Sequence, residues 1–313
     1  MNIDPRDPIF HDEDKAREYF EALRWPDGKP FCPHCGADNV HRLEGESHRP
    51  GLIQCNACLL TFTVTVGSVM ESSHLPLTKW VLAFTKMAAS KKGISAKQMQ
   101  RELALGSYRT AWFVCMRVRE AMKLPKMSPG RIGGEGKTVE SDETFVGGKK
   151  KNVHKDKPEP KKHAVHALVE RGGHVRATHV ADVSAKTLRK AIAKHVAKGT
   201  KMDTDDALAY YHMSKEFAAH GVVNHSAGEY VSKDGLSHIQ SAEAFFAILK
   251  RGVMGSFHSV SEQHLQRYVD EFAFRWNHRS ALGVEDAERA AAMIRGAIGK
   301  RLMYRNPDET TEN

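Results

Sequence analysis

The stretch His238-Ile-Gln-Ser-Ala-Glu243-Ala-Phe-Phe-Ala-Ile-Leu-Lys250-Arg251 carries the reading from which the rest follows. Ala242, Phe245 and Leu249 recur at i, i+3 and i+7, the apolar stripe of a helix. Glu243 and Lys250 lie two turns apart on one face of that helix. Taken alone, this is an amphipathic helix with a solvated Glu and Lys. Two earlier stretches change its meaning. Val139-Glu-Ser-Asp142-Glu-Thr-Phe-Val-Gly-Gly148 reads as a strand bearing one acid, and Met202-Asp-Thr-Asp205-Asp-Ala-Leu-Ala-Tyr210 as a strand end bearing another. Two strand-borne aspartates and a helix-borne glutamate, brought together, make a two-metal carboxylate site. Glu143, next to Asp142 on a strand, points to the other face and is set aside as a ligand. Asp203 and Asp206 flank Asp205, and the local sequence leaves open which of the three is the ligand.

Around these stretches the elements fall into a recognisable order. Thr138–Val146, Ala164–Glu170 and Val175–Val180 read as strands, the last two joined by a turn at Arg171-Gly-Gly173. Ser184 caps a helix to about Ala197, a fourth strand ends near Asp205, a helix carries Tyr210–Phe217, and Val222–Asn224 forms a fifth strand. Three antiparallel strands, a helix, a strand, a helix, a strand and a helix are the order of the ribonuclease H-like fold. Asp142 then falls on the central first strand, Asp205 at the tip of the adjacent fourth, and Glu243 on the closing helix. Ser261 caps a further helix whose Leu265, Tyr268, Val269, Phe272, Ala273 and Trp276 form one apolar face. Between the first two strands, residues 149–162 hold seven lysines against two acids, locally +5. Such a run is a solvated loop or, beside a catalytic strand, a clamp on a DNA backbone.

The N-terminal part has a different character. A helix over 12–24, capped by Asp12, stops at Pro26-Asp-Gly-Lys-Pro30. Cys32-Pro-His-Cys35 and, after 19 intervening residues, Cys55-Asn-Ala-Cys58 follow. Each pair is a knuckle that turns two thiolates toward one metal, and four soft thiolates select one structural Zn²⁺. A redox dithiol is the alternative, disfavoured by two matched pairs. Short strands at Val40–Leu43, Leu52–Gln54 and Thr61–Val66 complete a zinc ribbon. Residues 77–122 are helical. The short helix Ala96–Leu103, a Gly-containing turn and the longer helix Arg109–Met122 fit a helix-turn-helix, with Arg109 at the start of the helix that would enter the major groove. A plain three-helix bundle has the same pattern.

The chain has 313 residues, enough for two or three domains, and no apolar run long enough to span a membrane. The N-terminus lacks a signal-peptide pattern, so a cytoplasmic location is expected. A net charge of +9 favours a polyanionic partner. The expected class is a mixed α+β and α/β multidomain protein. Its parts are a helix and zinc ribbon over 1–70, a helix-turn-helix-like region over 71–123, a Pro- and Gly-rich linker over 124–137, a ribonuclease H-like domain of the retroviral integrase type over 138–280, and a helix with an acidic, disordered tail over 281–313.

Residues spread from Glu13 to Arg279 resemble a family. They are Arg24-Trp-Pro-Asp-Gly with Cys-Pro-His-Cys-Gly, Lys92-Gly-Ile-Ser, Ser107-Tyr-Arg-Thr-Ala-Trp112, Arg117-Val-Arg-Glu-Ala-Met122, Asp142-Glu-Thr-Phe-Val-Gly-Gly148, Thr204-Asp205 with Tyr210, Glu243 with Lys250, Gly255-Ser-Phe-His258 and Arg267-Tyr-Val-Asp-Glu-Phe-Ala-Phe-Arg-Trp-Asn-His-Arg279. In this order they resemble bacterial insertion-sequence transposases with an N-terminal zinc ribbon and an integrase-like DDE domain of the ISXO type. The resemblance implies metal-dependent end cleavage and strand transfer of an insertion sequence. It also implies two Mg²⁺ (or Mn²⁺) held by Asp142, Asp205 and Glu243, with Asp142 shared between them. Lys250 would be a basic residue near the reacting DNA. Many relatives carry Asn three residues before the Glu; Gln240 stands there, and what it contributes to the third position is open. The implied partner is double-stranded DNA, both the terminal inverted repeats and the target, contacted through Arg109, Lys149, Lys150, Lys151, Lys250 and Arg251 by a homodimer or larger oligomer. The rival readings are a DNA-binding regulator without catalysis and a ribonuclease H-like nuclease.

Overall fold

The computed structural model describes residues 4–124, 130–148, 161–211, 216–224, 229, 231–232 and 235–303. The chain divides into two compact units, residues 1–123 with 284–313, and residues 124–283.

In the first unit, helix α1 (Glu13–Arg24) starts where the Asp12 carboxylate accepts from the backbone N–H groups of Asp14 and Lys15. Its Ala16 and Phe20 are buried. Strands β1 (Val40–Arg42), β2 (Ile53–Cys55) and β3 (Thr61–Phe62) form a small antiparallel sheet in chain order. The buried Arg24 guanidinium ties α1 to the chain just beyond this sheet, donating to the carbonyls of Val64 and Val66 at 2.6 Å each. Three helices follow: α2 (Leu77–Ala89), α3 (Ala96–Glu102) and α4 (Tyr108–Met122). The Ser95 and Ser107 hydroxyls cap α3 and α4 by accepting from Gln98 and Thr110. The Glu13 carboxylate accepts from the first backbone N–H groups of α2, at 2.7 and 3.2 Å.

The sequence offers no partner for the helix after residue 283. In the structure, α8 (Asp286–Ala297) completes the bundle of the first unit by packing on α2 and α4. Arg289 donates to the Ala88 carbonyl, and Lys300 donates to the carbonyls of Ala121 and Lys123. The acidic tail, Asn306–Asn313, lies outside the described residues.

The second unit is built on strands β4 (Thr138–Gly147), β5 (Lys162–Glu170), β6 (Val175–Val180), β7 (Lys201–Asp205) and β8 (Ala219–Val223), in the spatial order β6-β5-β4-β7-β8. The first three form an antiparallel meander, while β7 joins β4, and β8 joins β7, in parallel. This is the ribonuclease H-like arrangement. Helices cover both faces, so β5 is a nearly continuous buried run rather than an alternating one. One face packs Val165, Ala167 and Val169 against α6 (Gln240–Gly252) and α7 (Glu262–Asn277). The other packs Val139, Leu168 and Met202 against Leu188 and Ile192 of α5 (Ala185–His195). At Gly252 a Cβ would lie 2.0 Å from the Phe272 ring, so the meeting of α6 and α7 requires glycine there.

The helix expected over Tyr210–Phe217 is not found in the described part. At its start stands a 3₁₀ turn, Leu208–Tyr210, where Tyr210 is drawn inward to bond Ser141 and Glu143. Residues 212–215 lie outside the described residues.

Candidate active site and metal centre

The parallel pairing of β4 with β7 brings the first two acids to one place. Glu140 stands opposite Asp203 and Ser141 opposite Thr204, and the next step along both strands is Asp142 and Asp205. In-register parallel neighbours point to the same face. That face is the one covered by α6, since Ala167, the β5 partner of Asp142, belongs to the α6 core. Both aspartates are half-buried. The Asp142 carboxylate accepts from the Glu143 backbone N–H at 2.7 Å, and that of Asp205 from the Ala207 N–H at 3.1 Å.

Helix α6 is fixed to the same strands by buried charge. Glu140, fully buried, accepts from the backbone N–H groups of Ser241 and Ala242 at 2.6 and 3.0 Å, which caps the helix from the strand beneath it. Arg171 donates to Glu140 at 3.1 Å, to Asp203 at 2.8 Å and to the His238 carbonyl at 3.1 Å. Asp203 is therefore engaged in holding the chain ahead of α6, and Asp206 is exposed. Glu243 follows in the first turn of α6, exposed, immediately after the two residues that Glu140 holds. Lys250 and Arg251 occupy its last turn, both exposed, and Gln240 is its exposed first residue.

On the opposite face of β4 lies a buried polar layer. The Ser141 hydroxyl meets His166 Nε2 at 2.9 Å and the Tyr210 hydroxyl at 3.1 Å, and Tyr210 donates to Glu143 in a short bond. Burial is the largest influence on Glu143. Together with repulsion from Asp142 and Asp205, and against the Tyr210 bond, it pushes the Glu143 carboxyl up to about 7. Glu143 thus senses both aspartates at once, the signature of negative charge gathered at one spot. Burial, followed by the charge of His195, holds His166 down to about 3, so this imidazole is neutral.

Among the described residues, two groups of metal-ligand atoms converge to within 4.8 Å of one another: Cys32, Cys35, Cys55 and Cys58, and a separate His163–His179–Glu262 set. The Asp142, Asp205 and Glu243 carboxylates do not converge that tightly. Ligands on different ions of a two-metal pair, themselves about 3.5–4 Å apart, need not do so.

The four sulfurs, by contrast, already outline a coordination shell. Cys32 and Cys58 Sγ are 3.7 Å apart, and Cys35 and Cys55 Sγ 3.6 Å. A tetrahedron with Zn–S bonds near 2.3 Å has edges of about 3.8 Å. Such distances are far too long for disulfides, and all four thiols are free. Backbone N–H groups point at the sulfurs, as the His34 N–H does toward Cys32 at 3.4 Å. The N–H of Cys58 bears most on Cys55 and holds its thiol down to about 7, although burial pushes the other way. Four thiolates and no open position fit one structural Zn²⁺.

Two family models match the chain. Residues 133–277 match the ISXO2-like transposase domain, and residues 11–61 the transposase zinc-ribbon domain; together these cover more than half of the sequence. The chain carries an ISXO2-like transposase domain behind a transposase zinc ribbon. It is also 28% identical, over 285 residues, to an uncharacterised protein in the transposable element ISH50 of Halobacterium salinarum, an alignment that covers 85% of this transposase and 91% of that protein.

Of the DNA-contact candidates of this transposase, Arg109 is exposed in the first turn of α4. Lys149, Lys150 and Lys151 lie outside the described residues. No described helix is long and apolar enough to cross a membrane. The Glu140–Arg171–Asp203 cluster escaped sequence reasoning. Glu140 left one signal, its position two residues before Asp142 on the same strand face. Arg171 left none, since it opens a Gly-Gly turn.

Proposed function

We propose that this transposase is a DDE enzyme that cuts DNA at the ends of its insertion sequence and joins the freed 3′-OH to target DNA, acting in the cytoplasm as a dimer or larger oligomer. The observation that carries the reading is the in-register approach of Asp142 and Asp205 on the face where Glu140 anchors the start of α6. Asp142, Asp205 and Glu243 would hold Mg²⁺ or Mn²⁺; hard carboxylates suit these ions. Such ions, when bound, would supply Lewis-acid activation of the attacking oxygen and charge stabilisation of the departing 3′ oxygen. Glu140 and Arg171 position α6 and so aim Glu243. Lys250 and Arg251, exposed at the far end of α6, contact phosphates. Arg109, at the start of α4, reads bases of the terminal repeat, and the lysines at 149–151 add non-specific backbone contacts.

The test is Glu243→Gln, nearly isosteric and at an exposed position. With labelled terminal repeats, a plasmid target and Mg²⁺, the variant should lose cleavage and joining by several orders of magnitude, about 5 kcal/mol or more in barrier. Its gel-shift affinity should be retained. Near-normal cleavage would remove Glu243 from the site. Cut but never joined ends from the native chain would favour a nuclease, and binding alone a regulator.

A further inference from the structure

We propose that His163, His179 and Glu262 form a second metal site of the chain, for a Zn²⁺-class divalent ion, which clamps the start of α7 to the β5–β6 edge of the sheet. It is separate from the ribbon cysteines and from the acidic site.

The ligand atoms of these three residues lie within 4.8 Å of one another. The fold brings them together by register. Val165 pairs with His179 across β5 and β6, and His163 stands two residues before Val165 on the same face. His163 and His179 are thus diagonal neighbours on the side that carries α7, close enough for long side chains to meet. Their rings are 5.8 Å apart at 80°, edge to face. Glu262 is the first residue of α7. One turn later, Gln266 accepts from the His179 backbone N–H at 2.7 Å and donates to the Ala177 carbonyl at 3.3 Å. At the far end of α7, the Asn277 amide accepts from the Val175 N–H at 2.7 Å and donates to its carbonyl at 3.2 Å. Helix and edge strand are therefore pinned at two points, and Glu262 is carried over the two imidazoles by a fixed frame.

What the three groups do with one another points to an ion. His163 Nδ1 and Glu262 Oε1 are 3.7 Å apart, beyond hydrogen-bond range. Among the described residues no ring nitrogen of His163 or His179 makes a hydrogen bond. Ligands sharing one tetrahedral ion with bonds near 2.0–2.1 Å sit about 3.3 Å apart. Two imidazoles and one carboxylate favour Zn²⁺, Co²⁺ or Ni²⁺ over Mg²⁺. The Glu262 side chain is 60% exposed, so an ion can enter from solvent, and three protein ligands leave a position for water.

Cobalt distinguishes this site from the ribbon, because thiolate–Co²⁺ gives intense charge-transfer absorption and a nitrogen–oxygen site gives only weak visible bands. The full chain, with its ribbon filled by Zn²⁺ and with Asp142→Asn to silence the acidic site, is titrated with Co²⁺. One equivalent should bind with weak visible bands and raise the melting temperature of residues 124–283. His179→Gln and Glu262→Gln should each weaken binding at least about tenfold and abolish the thermal shift. Glu262 is exposed, so its variant keeps the fold, as circular dichroism checks. Absence of the added equivalent, or its survival undiminished in both variants, would overturn the site.

Discussion

The ribbon cysteines and the three acids proposed as metal ligands are held by different means. In the ribbon, four sulfurs come from two short knuckles, with Cys32–Cys58 and Cys35–Cys55 3.7 and 3.6 Å apart, beside a sheet of only three short strands. The acids Asp142, Asp205 and Glu243 come from two strands and a helix, and the buried Glu140 and Asp203, joined by the half-buried Arg171, lock those elements together. Like thiolates cannot hold each other in place, so the ribbon depends on its ion for folding free energy. The strands and the helix that carry the acids are instead held by hydrogen bonds and ion pairs of the protein itself. This contrast sets the expected order of effects when each part is damaged.

Zinc removal should have the largest effect. Stripping the ion, or Cys55→Ser, should unfold β1–β3, since such sites contribute on the order of 10 kcal/mol or more. Hydrogen exchange should show the ribbon amides losing all protection while β4 and β5 keep theirs. A ribbon that keeps its protection without zinc would erase the contrast.

Glu140→Ala should come next. It leaves Arg171 short of a buried partner and frees the first N–H groups of α6, at about 3–5 kcal/mol. Exchange at Ser241 and Ala242 should rise sharply, and end cleavage should fall although no proposed metal ligand is touched. Unchanged exchange there would mean that α6 is held by its apolar face alone.

That cluster also marks the boundary of what could be read in advance. The cysteines are legible because a knuckle is local: spacing alone turns two thiolates together. The strands and their order are legible because hydrophobic period and turn residues are local too. Asp142, Asp205 and Glu243 could be named as candidates on the same grounds. The residues that aim them could not, because Glu140 meets Asp203 only through the parallel register of β4 and β7, which no short stretch encodes. The same limit applies to α8, whose stripe announces burial without saying against what. At Tyr210 a tertiary bond to Glu143 draws the chain inward, and the turn described there, Leu208–Tyr210, is 3₁₀ rather than α-helical.

The polar layer behind Asp142 allows a comparison within one strand pair. His166 titrates near 6.5 when unfolded but at about 3 when folded. The unfolded chain therefore takes up the proton first, and the stability that His166 contributes above about 6.5 is lost as pH falls toward 3. Glu143 has the opposite sign. Its folded value of about 7 lies above the unfolded 4.5, so it favours the folded state below about 4.5 and loses that contribution as pH rises through 7. Between pH 7 and 5 the two oppose each other. In buffer without Mg²⁺, His166→Asn should make the second unit more stable at pH 5 than at pH 7, and Glu143→Gln less stable, each by about 2 kcal/mol. Exchange protection of β5 at the two pH values reads this directly, and slopes of the same sign would break the pairing.

The smallest effect tests the first unit. A Cβ at Gly296 would lie 2.5 Å from the Ala121 carbonyl oxygen, a backbone atom that no side-chain rotation can move aside. Overpacking of this kind costs about 1–3 kcal/mol, while replacing glycine by alanine inside a helix returns up to about 1. Gly296→Ala should therefore destabilise by about 1 kcal/mol net, and the loss should fall on α4 and α8 rather than on the sheet of the second unit. The substitution separates two ideas of α8. If the helix belongs to the bundle with α2 and α4, exchange in α4 near Ala121 rises and β4–β5 exchange does not. If α8 were an appendage with loose contacts, propensity alone would act and Gly296→Ala would be neutral or stabilising. The sign of a change this small is decisive because the two terms oppose each other and only close packing on Ala121 makes the first one win.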